Sequence, residues 1–292
     1  MRVIKDFEEA HMSDVAVTEN KGGLAPLGPA PISVSDGDLT AEAEMEPESA
    51  CTTYKAADAL LQDLNSLPNA SLDKIKKTIS PARMKRYLDL ADNDLRLAIR
   101  LHTWNAAVAG SLLPTLHLAE VTIRNVAMRR LAAKYGKQWY RSNDLITYRL
   151  GNSGLTEQLN DAYQGEIEKG RRGDLSDYIT SELTFGFWVN VFTKKFRPHL
   201  WKADLHTVIA GFPRDKNIDD LHDGVEFVRT FRNNVAHHKD LVCKPVVDNY
   251  TRTLDVIGML CAKTRDTAEK TSAFPLVWAC APIPRDRLMT QG

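Results

Sequence analysis

Between residues 95 and 126, Leu97, Leu101, Trp104, Val108, Leu112, Thr115, Ala119, Ile123 and Val126 recur at steps of three and four. That spacing lines one face of a helix, so the pattern predicts a long amphipathic helix sustained over many turns. Pro114 must kink it or split it in two, because an interior proline removes a backbone bond and clashes with the preceding turn. Gly136 supplies a stop. Upstream, Ser80 and Pro81 predict a helix from 81 to about 90: a hydroxyl caps free backbone N–H groups, and a proline at the first helical position sacrifices no bond. Downstream, a helix is expected over about 155–169. Apolar and aromatic residues return at Leu183, Phe185, Phe187, Trp188, Val191, Phe192 and Phe196, suggesting another, buried helix. Two more are predicted at about 219–236 and 245–264. Strand-type alternation is nowhere convincing, so the expected fold class is all-α, a helical bundle.

Residues 20–50 break this pattern. They are rich in Gly, Pro, Ala and acids and lack aromatics, a composition that cannot bury enough surface to repay its ordering. The expected organisation is a disordered acidic leader over 1–53, a helical domain over 54–265 and an irregular, proline-interrupted tail over 266–292. The 292 residues, 43% hydrophobic and 26% charged, have globular composition. Their formal net charge of zero is uneven: residues 1–50 hold three basic against eleven acidic side chains, the remaining 242 hold 35 against 27. The ordered part is therefore modestly basic, as a polyanion-binding protein would be, although such charge is commonly only solvation.

No apolar run approaches the ~18 residues of a membrane span, and the N-terminus lacks the apolar core of a secretory signal. A cytoplasmic protein without membrane association is the expectation. Cys51, Cys243, Cys261 and Cys280 form no CxxC pair, and there is no HExxH, phosphate loop, dinucleotide fingerprint or GxSxG elbow. Neither a metal nor a cofactor is expected. The basic turn KGRRGD at 169–174 can touch phosphates, but the solvated reading is favoured.

The polar cluster FRNNVAHHKD at 231–240 invites a sharper question. Advancing about 100° per residue from Leu221 at zero, Val225 falls at about 40°, Val228 at about 340° and Arg232 at about 20°, inside the apolar stripe. A guanidinium stays charged at any relevant pH, so this position asks for an oxyanion. Glu120 is one candidate partner and a bound phosphodiester is the other. His237 lies one turn beyond Asn233, whose side chain is placed to orient the imidazole. The competing explanation is that Asn233, Asn234, His237 and His238 satisfy the terminal carbonyls of the helix. On the preceding helix, Glu120 and Arg124 stand four apart, the spacing of an ordinary intrahelical ion pair.

Arg232-Asn233-Asn234-Val235-Ala236-His237 resembles the R-polar-x3-H motif of HEPN domains, the all-α fold of many ribonucleases in toxin–antitoxin, CRISPR-associated and abortive-infection systems. More narrowly, the chain resembles the Abi-like (abortive infection) family through ISPARMKRYL at 79–88, LHTWN at 101–105, AEVTIRN at 119–125 with YGKQW after it, SELTFGFWVNVF at 181–192 and VRTFRNNVAHH at 228–238. The resemblance spans about 79–261 and leaves the leader and the tail uncovered. It implies a HEPN-like bundle that cleaves RNA without a metal: the ribose 2′-OH attacks the adjacent phosphate, leaving a 2′,3′-cyclic end. In that scheme His237 is general acid or base, Arg232 steadies the phosphorane charge and Asn233 orients either. Glu120 holds the guanidinium, Arg124 and Asn125 contact RNA, and His238 is a lesser alternative to His237. A homodimer is implied, its second copy completing the site. RNA is the implied substrate, and an antitoxin or regulatory protein is a further implied partner.

Overall fold

Four of the described helices begin at a residue whose side chain caps them: Ser80, Asp94, Thr184 and Asn217. The computed structural model describes residues 66–151, 153–202 and 205–289; the acidic leader and the first residues of the expected helical domain, 54–65, lie outside the described residues. Helix α1 is Asn69–Ile79 and α2 is Pro81–Leu90, with Ser80 accepting from the Arg83 N–H at 3.3 Å as its pattern predicts. The Asp94 carboxylate then takes the N–H groups of Arg96 and Leu97 at 2.8 and 3.1 Å and starts α3, Leu95–Tyr135. A 3₁₀ turn at Trp139–Arg141 and a π turn at Asp144–Leu150 lead to α4, Gly154–Glu168. Four short pieces follow: α5 Ser176–Glu182, α6 Phe185–Asn190, α7 Arg197–Leu200 and α8 Leu205–Val208. The long elements resume with α9, Ile218–Ala236, and α10, Val246–Leu260; α11 Ala262–Lys270, α12 Phe274–Ala279 and α13 Arg285–Met289 complete the chain. The protein is all-α, with no strand among the described residues.

The axis of the bundle is α3, against which α2, α6, α9, α10 and α12 all pack. Its 41 residues run unbroken through Pro114, so of the two expected outcomes, a kink or a split, the split does not occur. Pro114 is exposed on the outer side, where its ring meets solvent rather than a neighbouring helix and where a carbonyl without its N–H partner can bond water. By length and composition α3 is also apolar enough to cross a membrane, with an 18-residue window of mean hydropathy 1.4, against the sequence expectation that no run comes close. One face of it, including Leu101, Trp104, Val108, Leu112 and Ile123, lies in the bundle core, whereas only 33% of that window is buried.

Helices α9 and α10 approach so closely that a Cβ on Gly224 would sit 2.8 Å from Val256 Cγ2, which makes glycine a packing requirement there. The aromatic segment is not the single helix its stripe suggests. Thr184 recaps the chain for α6, accepting the Phe187 N–H at 3.3 Å, and Pro198 opens α7; between them Trp188, Phe192 and Phe196 turn inward from separate short pieces. The expected irregular tail is likewise ordered. Pro275 is tolerated in the first turn of α12, and Phe274, Val277 and Trp278 enter the core, where Trp278 meets Trp104 at 5.2 Å. The predicted helix at 245–264 is cut at Cys261, whose extended backbone ends α10 and caps α11.

Candidate functional site

Of the residues singled out in the sequence, the seam between α3 and α9 joins Glu120, Arg232 and Asn233 through side-chain hydrogen bonds, and among the described residues no such bond ties Arg124, Asn125, His237 or His238 to them. Leu221, Val225, Val228, Phe231 and Val235 form the buried face of α9, whose start is fixed by a capping box between Asn217 and Asp220. Arg232 does not lie dry within that face. Its stem follows the stripe while the head reaches the rim, leaving 40% of the side chain exposed, a guanidinium's usual compromise between an apolar stem and a charge that keeps its water.

Glu120 meets it there. Arg232 Nε donates to Glu120 Oε2 at 3.0 Å across the seam, and Nη1 donates to Asn233 Oδ1 at 3.4 Å. Of the two partners the sequence allowed, the carboxylate is present, and the Nη2 edge of the fork makes no hydrogen bond with the described residues. Because Glu120 turns to α9, the intrahelical pair with Arg124 is not made. Arg124 takes part in no ion pair or hydrogen bond among the described residues, and its Nε is buried without a partner. Asn125 lies half-buried beside it.

The end of α9 decides between capping and chemistry. His237 is the C-cap, and His238 adopts a left-handed φ of 53°. The His238 N–H donates to Val235 O and the Lys239 N–H to Asn234 O, both at 3.1 Å, the two bonds of a Schellman ending. Backbone groups thus satisfy the terminal carbonyls. Asn234 contributes a side-chain bond to Lys239 Nζ at 2.9 Å, but neither imidazole bonds to the helix end, and both histidines are exposed. The backbone of His237 and His238 thus forms the helix ending, Asn234 has a side-chain partner in Lys239, and neither imidazole has one among the described residues.

One expected contact is corrected. Asn233 does not orient His237 through its side chain: its Oδ1 faces Arg232, and only its backbone carbonyl touches His237, accepting the N–H at 2.9 Å. At the C-cap the backbone leaves the helix, so the i, i+4 geometry that would bring the two side chains together is lost.

Two positioning residues sit inside the quoted LHTWN stretch. Buried Asn105 accepts the Leu241 N–H at 2.8 Å and so anchors the segment leaving α9, while Trp104 Nε1 donates to Val277 O at 2.9 Å and holds α12. An asparagine at a core register of a long helix is the sequence signal for the first. The basic turn at 169–174, by contrast, is engaged internally: Lys169 and Arg171 both pair with the fully buried Glu166 carboxylate, which is held below its ordinary range chiefly by the Lys169 bond. Arg171 also lies 3.8 Å over the Tyr178 ring.

No metal-binding grouping of three or more His, Cys, Asp or Glu occurs among the described residues. No family model matches the chain, and neither a curated protein nor a solved structure matches it.

Proposed function

We propose that this chain is an endoribonuclease of the Abi-like HEPN type, acting on RNA in phage defence or a toxin system. What carries the reading is Arg232: a guanidinium braced by Glu120 at 3.0 Å with one edge free, five and six residues before two exposed imidazoles that make no bond to the helix end. A braced, partly exposed guanidinium presents donors to a phosphate whose charge grows as the 2′-OH attacks. An exposed imidazole is free to take the 2′-proton or to protonate the leaving 5′-oxygen. Arg124, without a partner of its own, is placed to neutralise a neighbouring phosphate.

Two imidazole duties and one His237 per chain favour a homodimer in which a second copy supplies the other acid or base. The chemistry needs only these groups and the ribose hydroxyl, so cleavage is expected to continue in EDTA and to leave 2′,3′-cyclic phosphates. Sequencing of RNA ends from cells expressing wild type or His237→Ala is the test; equal cleavage by the two sinks the proposal. A second reading, an RNA- or nucleotide-binding module without turnover, is favoured by one observation: no described side chain orients His237. RNA bound with no products at any pH would select it.

A further inference from the structure

Beside the candidate site, the seam widens into a groove of about 600 Å³, inside the roughly 300–1,000 Å³ range of small-ligand pockets. Its floor is the outer face of α3, built from the small residues Ala106, Ala109 and Gly110, and its wall is the end of α9. A side-chain carbon added at Gly110 would meet nothing within 4 Å, so the space above the floor is open. Leu113 borders it with 52% of its surface exposed. Pro114, four residues after Gly110, also lacks the N–H that would bond the Gly110 carbonyl, leaving that acceptor on the floor without its helical partner.

The polar groups converging here suit a heteroaromatic ring on an anionic chain. His102 is half-buried, packs edge-on against Tyr87 at 5.2 Å and is pushed toward the neutral form by burial and by Arg83. A neutral imidazole offers one donor and one acceptor. Arg83 makes no side-chain hydrogen bond or ion pair with the described residues, and His238 lines the opposite wall with its ring equally unengaged. The charge balance is lopsided: in its 41 residues α3 contains a single acid, Glu120, and Arg232 already holds it. From Leu113 to Glu120 is about 10 Å along the helix axis, within reach of the next nucleotide of one strand.

We propose that this groove is a nucleobase subsite: it seats a base of single-stranded RNA next to the phosphate held at Arg232, with His102 reading the base edge, Leu113 and the small-residue floor contacting its face, and Arg83 meeting the following phosphate. The assignment rests on the ribonuclease reading and adds a substrate class, unpaired rather than duplex RNA, because only a base splayed out of a helix can enter the groove.

The test uses the full chain with His237→Ala to prevent cleavage, a fluorescent single-stranded RNA and a hairpin duplex of the same composition, followed by anisotropy. The parent is expected to bind the single strand at least tenfold more tightly than the duplex. Gly110→Trp, which fills open space, is expected to weaken single-strand binding at least tenfold without lowering the melting temperature. Arg83→Gln, an exposed change independent of groove filling, is expected to reduce the slope of log affinity against log salt by about 1. In the chain retaining His237, His102→Ala is expected to flatten base preference beside the cut. Unchanged binding in folded Gly110→Trp and Arg83→Gln overturns the subsite while leaving the ribonuclease reading intact. A dimer that falls to monomer in Gly110→Trp overturns it in favour of a second copy covering the groove. A His237→Ala chain that does not bind RNA, together with a wild type that does not cut it, overturns both.

Discussion

Two arginine clusters in this molecule have opposite fates. At the corner between α4 and α5, Arg171 and Lys169 converge on the buried Glu166, and Tyr178 closes over the guanidinium; both of these cations have a counterpart within the chain. Along the α3–α9 seam, one carboxylate serves Arg232, while Arg124, Arg83 and two imidazoles have none. The first arrangement holds a turn in place. The second leaves several donors to water, the arrangement that the proposed RNA site requires. Basic sequence is thus a poor guide to anion binding, and the placement of carboxylates is a better one.

The contrast is open to direct attack. The largest expected effect is on turnover: Arg232→Ala and His237→Ala each reduce RNA cleavage by about 100- to 10,000-fold, while their melting temperatures stay close to wild type. Arg171→Ala is expected to do the reverse, lowering the melting temperature and leaving RNA cleavage within a factor of about two, as suits a surface removed from chemistry. Parallel thermal melts and single-turnover assays on the three variants decide the matter, and a loss of cleavage in Arg171→Ala abolishes the distinction.

Next in size is Asn105→Ala, which leaves the Leu241 N–H buried without an acceptor and costs about 1–3 kcal/mol. Urea unfolding measures it. Because that bond anchors the chain just beyond the two histidines, cleavage falls in this variant as well, though less than in His237→Ala.

A smaller, pH-confined effect belongs to the corner. Glu166 titrates below its ordinary value near 4.5 in the folded chain, so the unfolded chain takes up its proton more readily. Its contribution is complete above that ordinary value and is lost as pH falls through the lowered one. Wild type is therefore expected to outlast Glu166→Gln in melts at pH 7, and the two curves to draw together as pH falls below the ordinary carboxylate range. Smallest is Arg124→Gln: if this side chain meets one phosphate, the salt slope of RNA affinity drops by about 1 with little change in stability.

Much of the scaffold was legible because local chemistry marked it. Ser80 and Pro81 start α2, the stripe from Leu97 to Val126 announces α3, and the turn-by-turn apolar repeat of Leu221, Val225 and Val228 describes α9. The aromatic stretch misled for a tertiary reason: Phe187, Trp188, Phe192 and Phe196 all face inward, but from short pieces reset by Thr184 and Pro198 rather than from one rod. Pro114 leaves the helix unsplit because an exposed proline can sit in a helix whose other face is clamped by neighbours. In the site, the tie between Glu120 and Arg232 followed from charge logic across 112 positions. The partial exposure of that guanidinium did not, since a helical wheel gives direction and says nothing of how far a long stem carries its head. Nor was the Asn233 contact accessible, because it depends on where the helix stops being one.

His238 holds a backbone angle that glycine would occupy without strain. Replacing it by glycine would relieve the left-handed angle, worth about 1–2 kcal/mol, while loosening the unfolded chain by about 0.5–1 kcal/mol, two opposed terms. Laboratory evolution with and without selection for activity would therefore reveal whether this imidazole is kept for the fold or for what it does outside it.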